Sequence, residues 1–156
     1  ESETGFQIPA TGIFTNDPAF EVQIISPQGS VPWESISRTQ GVGAFDFSNL
    51  RFDPPRAFQS SNITLSFSVT IPLMPGDIIL VLLPTFGGAD RRKMTLRSFS
   101  YNASGYASFS PIFSNGEWQE ADERLVLHVD ARIIPKTVVT IEIPQSSGIL
   151  LPRYAC

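Results

Sequence analysis

From Ile63 to Ile71 the apolar residues Ile63, Leu65, Phe67, Val69 and Ile71 alternate with Thr64, Ser66, Ser68 and Thr70. A period of two sets every apolar side chain on one face, which predicts a strand with one side buried. Pro75-Gly76-Asp77 follows; proline presets φ and glycine accepts positive φ, so a turn is predicted there. Ile78–Leu83 is then an unbroken apolar run, short enough for a strand buried on both faces. The whole stretch Ile63–Phe86 holds a single charge, Asp77, and so raises the question of a membrane span. A transmembrane helix needs about 20 consecutive apolar residues. Pro72, Pro75, Gly76, Asp77 and Pro84 interrupt this one, so two strands and a turn are predicted instead.

The pattern returns 60 residues later: Leu65–Pro84 (LSFSVTIPLMPGDIILVLLP) aligns without a gap on Leu125–Pro144 (LVLHVDARIIPKTVVTIEIP). Leu65/Leu125, Val69/Val129, Pro75/Pro135 and Pro84/Pro144 are identical, and Phe67/Leu127, Ile79/Val139, Val81/Ile141 and Leu83/Ile143 match in character. Either the chain holds a structural repeat or it uses one strand–proline turn–strand device twice. Both units end at a proline, which cannot donate to a sheet ladder.

Further strands are predicted over Phe20–Ile25, Ala44–Phe52, Met94–Tyr101, Tyr106–Phe113 and Ser147–Leu151. Asn102–Gly105 is read as the hairpin turn between the third and fourth of these. About seven to nine short strands with frequent turn signals point to an all-β fold, an antiparallel sandwich. Little or no helix is expected; Glu117–Arg124 (EWQEADER) could form one helical turn. The domain reading is an extended segment over 1–18, a sandwich over 19–152 and a tail over 153–156.

Composition narrows the class. A chain of 156 residues is one domain, large enough to bury roughly two thirds of its unfolded surface without metal or disulfides. Eleven Lys and Arg against fifteen Asp and Glu leave a net charge of −4, which argues against a nucleic-acid partner. Charged residues are only 17%, while Pro (13) and Phe (12) are abundant, a balance that suits a β-rich extracellular module. The opening ESETGFQIP has no initiator Met and no basic-then-apolar leader, so the chain is expected to be a processed product or, the favoured reading, a piece of a longer protein.

Catalysis needs convergent groups, and the sequence supplies one His and one Cys. His128 alternates with Leu127 and Val129, which puts it on the outer face of a strand. Glu117, Glu120, Asp122 and Glu123 cluster beside Trp118 but lack the Asp-x-Asp spacing of a calcium loop. No phosphate-cradling or zinc-binding spacing occurs. No enzyme, cofactor or metal is therefore expected. Arg91-Arg92-Lys93 is a charged loop tip on this reading, discouraging edge-to-edge pairing or contacting an acidic partner such as the Glu117–Glu123 loop of a neighbouring module. Trp33 and Trp118 are candidates for a sugar-stacking face. The many Phe default to the core.

Asn62-Ile63-Thr64 and Asn102-Ala103-Ser104 are N-glycosylation acceptors, at a strand start and in a predicted turn. Cys156, the only cysteine, has no internal partner and is a candidate for an intermolecular disulfide. An extracellular or cell-surface location follows as the expectation.

The succession Pro75–Pro84, Gly116-Glu117-Trp118, Leu125–Val129, Ile134-Pro135, Thr137–Pro144 and Gly148–Pro152 resembles the immunoglobulin-like (Ig-like) repeat modules of large secreted and cell-surface proteins of algae and other protists, mastigoneme-type filament proteins among them. The likeness runs over residues 63–152 and marks strands and turns rather than a site. It implies an Ig-like sandwich with a structural or adhesive role in an extracellular assembly, whose partners are other modules of the same or a neighbouring chain. A carbohydrate-binding module, with glycans as partners, is the alternative.

Overall fold

The computed structural model describes residues 9–101, 107–108 and 111–153. They form an all-β fold in three antiparallel sheets. β1 (Glu21–Ile24) and β2 (Val31–Ser35) make a separate two-stranded ribbon. β3 (Phe45–Asp53), β4 (Asn62–Val69), β7 (Arg97–Tyr101), β8 (Ala107–Ser108) and β11 (Val138–Ile143) build a five-stranded sheet of order β3-β4-β11-β7-β8. β5 (Ile78–Leu82), β6 (Arg91–Thr95), β9 (Asn115–Gln119) and β10 (Arg124–His128) build a four-stranded sheet of order β5-β10-β9-β6. The only helical turn among the described residues is Gln145–Ser147.

The core lies between the two larger sheets. Ile63, Leu65 and Phe67 of β4 and Val139, Ile141 and Ile143 of β11 meet Leu125 and Leu127 of β10, Trp118 of β9 and Met94 of β6. Each such side chain, fully removed from water, contributes about 1.5–3 kcal/mol. Phe67 lies at the middle, its ring edge-on to Phe45 at 6.0 Å and to Phe113 at 6.3 Å. The alternation in Ile63–Val69 thus marks the buried face correctly.

The stretch that raised the membrane question is β4, a turn and β5, and no helix among the described residues is long and apolar enough to cross a bilayer. Its two strands do not pair with each other. β4 belongs to one sheet and β5 to the other, so the connection is an arch across the core rather than a hairpin. The later unit, β10 and β11, is a second arch, and the two interlock: β4 pairs with β11 and β5 with β10.

This pairing is a local two-fold. Phe67 opposite Val139 and Leu65 opposite Ile141 map, on a shift of 60 residues, onto Leu127 opposite Ile79 and Leu125 opposite Val81. Leu73 and Ile133, equivalent positions, bridge each other at the axis. The Gly76 N–H donates to the Val129 carbonyl at 2.9 Å, and the equivalent Lys136 N–H donates to Val69 at 2.8 Å. Both turns close alike, Asp77 N–H to the Met74 carbonyl and Thr137 N–H to Ile134. Both put the residue after proline at positive φ, 95° at Gly76 and 63° at Lys136. The repeat is therefore structural.

Three sequence expectations change. Met94–Tyr101 is not one strand; the chain crosses at Leu96 from β6 in one sheet to β7 in the other. Glu117–Arg124 is not helical but the end of β9, a turn closed by Glu123 N–H to the Glu120 carbonyl, and the first residue of β10. The Ser147–Leu151 segment ends the helical turn and then makes only isolated bridges, Leu150 to Ser60 and to Gly87. In each case tertiary pairing overrode a local pattern.

Candidate interaction surface

The residues singled out for chemistry do not converge. The Glu117 carboxylate faces His128 across β9 and β10 at 3.6 Å, Asp122 pairs with Arg124 at 3.0 Å, and Glu123 accepts the Thr85 N–H. Glu120 donates its backbone N–H to Asp90. The acidic cluster is thus dispersed over separate partners, and among the described residues no group of three or more His, Cys, Asp or Glu side chains is gathered as a metal site. His128 is half-exposed on the outer sheet face, as its alternation predicts.

Arg91, Arg92 and Lys93 are not a loop tip. They are the first residues of β6, an edge strand, and β6 pairs with β9 of its own chain, Arg91 opposite Trp118. The basic run and the acidic segment thus lie side by side within one molecule. Asn62 is exposed at the start of β4, and its Oδ1 accepts the Gln145 N–H at 2.9 Å. Asn102 and Cys156 lie outside the described residues.

The two tryptophans part company. Trp118 is 1% exposed, and its indole N–H donates to the Gly88 carbonyl at 3.0 Å. Trp33 on β2 is 62% exposed. A paired stacking face built from both is ruled out. The ribbon that carries Trp33 also exposes Val22, Ile24 and Val31, interspersed with the charged Glu21 and Glu34.

The feature that composition did not flag is the uneven treatment of the sheet edges. Natural sheets blunt their edges with charge, bulges or shortness, because unpaired N–H and C=O groups template pairing with another chain. Among the described residues β6 carries three cations and a register shift between Arg91 and Met94. β3 carries Asp46, Arg51 and Asp53 and a shift between Phe45 and Phe47. β8 has two residues. β5 has none of these: it is IILVL, in continuous register with β10, and its outward Ile78, Leu80 and Leu82 are 56%, 59% and 68% exposed.

Its inward side is also unfinished. Ile79 and Val81 face the core yet are only half-buried, whereas Val139 and Ile141, their two-fold mates on β11, are completely buried. Between β3 and β5 lies an open hollow of about 430 Å³, lined by Phe45, Leu50 and Phe67 from one sheet and by Ile79 and Val81 from the other.

Searches against family models, curated proteins and solved structures find no match for this chain.

Proposed function

We propose that this chain is a non-enzymatic structural or adhesive module of an extracellular filament or cell-surface assembly, joined to other protein modules through its surface. The observation that carries the reading is the bare edge of β5, apolar on both faces and flanked by an open hollow. An edge left in that state favours strand addition by another chain. The exposed Val22, Ile24, Val31 and Trp33 of the β1–β2 ribbon support the same reading, since large exposed apolar side chains gathered on one small element favour an interaction site. The extracellular part rests on the two acceptor sequons and on the resemblance to modules of secreted filament proteins.

Covalent surface footprinting tests it, comparing the isolated chain with native assembled material. Protection of Ile78–Leu82 and of the ribbon in the assembly is expected. Equal labelling in both preparations would overturn the adhesive reading.

One observation favours a carbohydrate-binding module instead: the open indole of Trp33, a surface on which a sugar ring stacks. A glycan array read with the native chain and with Trp33→Ala decides. Binding lost on that substitution would establish the carbohydrate reading.

A further inference from the structure

We infer that a glycan attached at Asn62 lies down along a polar groove on the outer face of the five-stranded sheet, held there by Glu142 and Arg97. The inference rests on the extracellular part of the reading above and assigns that face to the chain's own sugar.

The acceptor is presented for it. In the sequon Asn62-Ile63-Thr64 at the start of β4, Ile63 is completely buried, so Asn62 and Thr64 on either side of it face outward. The Gln145 N–H donates to Asn62 Oδ1 at 2.9 Å. A backbone N–H bonds only to the oxygen of an amide, which fixes the orientation of the Asn62 side chain. Its Nδ2, the atom to which a glycan is joined, donates to no protein group among the described residues.

Beside Asn62 runs a groove of about 590 Å³, lined by Thr64, Thr95, Arg97, Glu142 and Pro144. That volume falls in the range of about 300–1,000 Å³ in which small ligands are held. Register sets the course of the groove. Thr64 stands opposite Glu142 on β11, and Glu142 stands opposite Arg97 on β7. Two strand spacings, about 10 Å, separate the Asn62 strand from Arg97, a span that the first two sugars of a glycan can cover.

The lining has unused bonding capacity. Glu142 and Arg97 are directly opposed, yet the ion pairs among the described residues are Asp122 with Arg124 and Glu117 with His128. A carboxylate accepts from sugar hydroxyls, and a guanidinium donates to hydroxyl and acetamido oxygens. Thr64 and Thr95 add hydroxyls that do both. The two charges cancel, which suits the neutral N-acetylglucosamine units that begin an N-linked chain. Attachment at Asn62 supplies the rest: a short tether holds the sugar at an effective concentration on the order of millimolar, so contacts too weak to capture free sugar suffice.

Arginine labelling tests the contact. Asn102→Gln leaves Asn62 as the one acceptor sequon. This chain is secreted from eukaryotic cells to carry the glycan, and made in bacteria to lack it. Arg97 is expected to react with phenylglyoxal about tenfold more slowly in the glycosylated chain, the factor that one hydrogen bond to a charged group supplies. Arg38, exposed and outside the groove, is expected to react equally in both. A tenfold preference corresponds to about 1.4 kcal/mol, so the bare chain is expected to melt about 4 °C lower. In the glycosylated chain Glu142→Ala is expected to remove roughly half of the Arg97 protection.

Equal reactivity of Arg97 in the two preparations overturns the proposal and leaves the extracellular reading standing. Equal slowing of Arg38 also overturns it, because the glycan then screens the surface at large. Full protection of Arg97 in Glu142→Ala overturns the assignment of the groove. An Asn62 left unmodified in native material overturns the extracellular reading, and the proposal with it.

Discussion

Replacing Trp118 by Phe removes one hydrogen-bond donor and part of a ring from a position 1% exposed to solvent. The Gly88 carbonyl then loses the indole N–H that reaches it at 3.0 Å. An orphaned polar group of this kind costs about 1–3 kcal/mol, and the smaller ring leaves unfilled volume costing about 1 kcal/mol more. The expected loss is about 3 kcal/mol. For a chain of this size each kcal/mol lowers the melting temperature by about 3 °C, so a fall of about 9 °C is expected. Trp33→Phe, on the exposed ribbon, is expected to shift it by less than about 1 °C. Thermal unfolding followed by near-ultraviolet circular dichroism reads both variants. Trp33→Phe also leaves Trp118 as the sole tryptophan, whose emission is expected to be blue-shifted when folded and to move red through the transition. A fall below about 2 °C for Trp118→Phe, or a larger loss from Trp33→Phe, would refute the placement of the two indoles.

Ser98→Ala is expected to cost about 2–3 kcal/mol by chemical denaturation, because the buried Ser98 hydroxyl accepts the Ile112 and Phe113 N–H groups, both at 3.0 Å, and alanine leaves them unpaired. Gly76→Ala is expected to cost only about 1 kcal/mol, since φ is 95° but no atom lies within 4 Å of the added carbon. Gly88→Ala combines a φ of 115° with a clash against the Gly148 backbone and is expected to cost about 3 kcal/mol or more. Exposed Asn62 is expected to carry a glycan in native material; an intact mass unmoved by deglycosylation, with the Asn62 peptide unmodified, counts against the extracellular reading.

The strand–turn–strand units were legible in the sequence because period-two alternation and coincident prolines are properties of single segments, but that they are arches and not hairpins was not. The alternation of Ile63, Leu65 and Phe67 marks the buried face, and the match of Pro75 to Pro135 marks a turn that closes identically in both units. Which strand pairs with which was not legible, because it depends on contacts between distant segments. Hence Met94–Tyr101 read as one strand although Leu96 carries the chain between sheets, and β9 was missed because Gly116 and its charged neighbours weaken the strand signal. The interaction surface was hidden for a similar reason. The apolar run Ile78–Leu83 promises burial on both faces, and only the sheet order shows that it is an edge strand with one side open.

The interlocked arches also dictate when this chain can fold. Ser66 and Thr140 share a hydroxyl hydrogen bond across 74 residues of sequence, and the β4–β11 ladder on which they lie is central to its sheet. During synthesis β4 and β5 emerge long before their partners, so Ile63–Leu83 waits in water as apolar surface until β10 and β11 arrive. At roughly 5–20 residues per second, that delay lasts several seconds. Closure of such distant pairs places the module among slow, non-local β folders, on the millisecond-to-second scale. A nascent chain halted before Val138 exposes the β4 edge as well as that of β5. Aggregation during synthesis is therefore governed by how long the first arch stands alone.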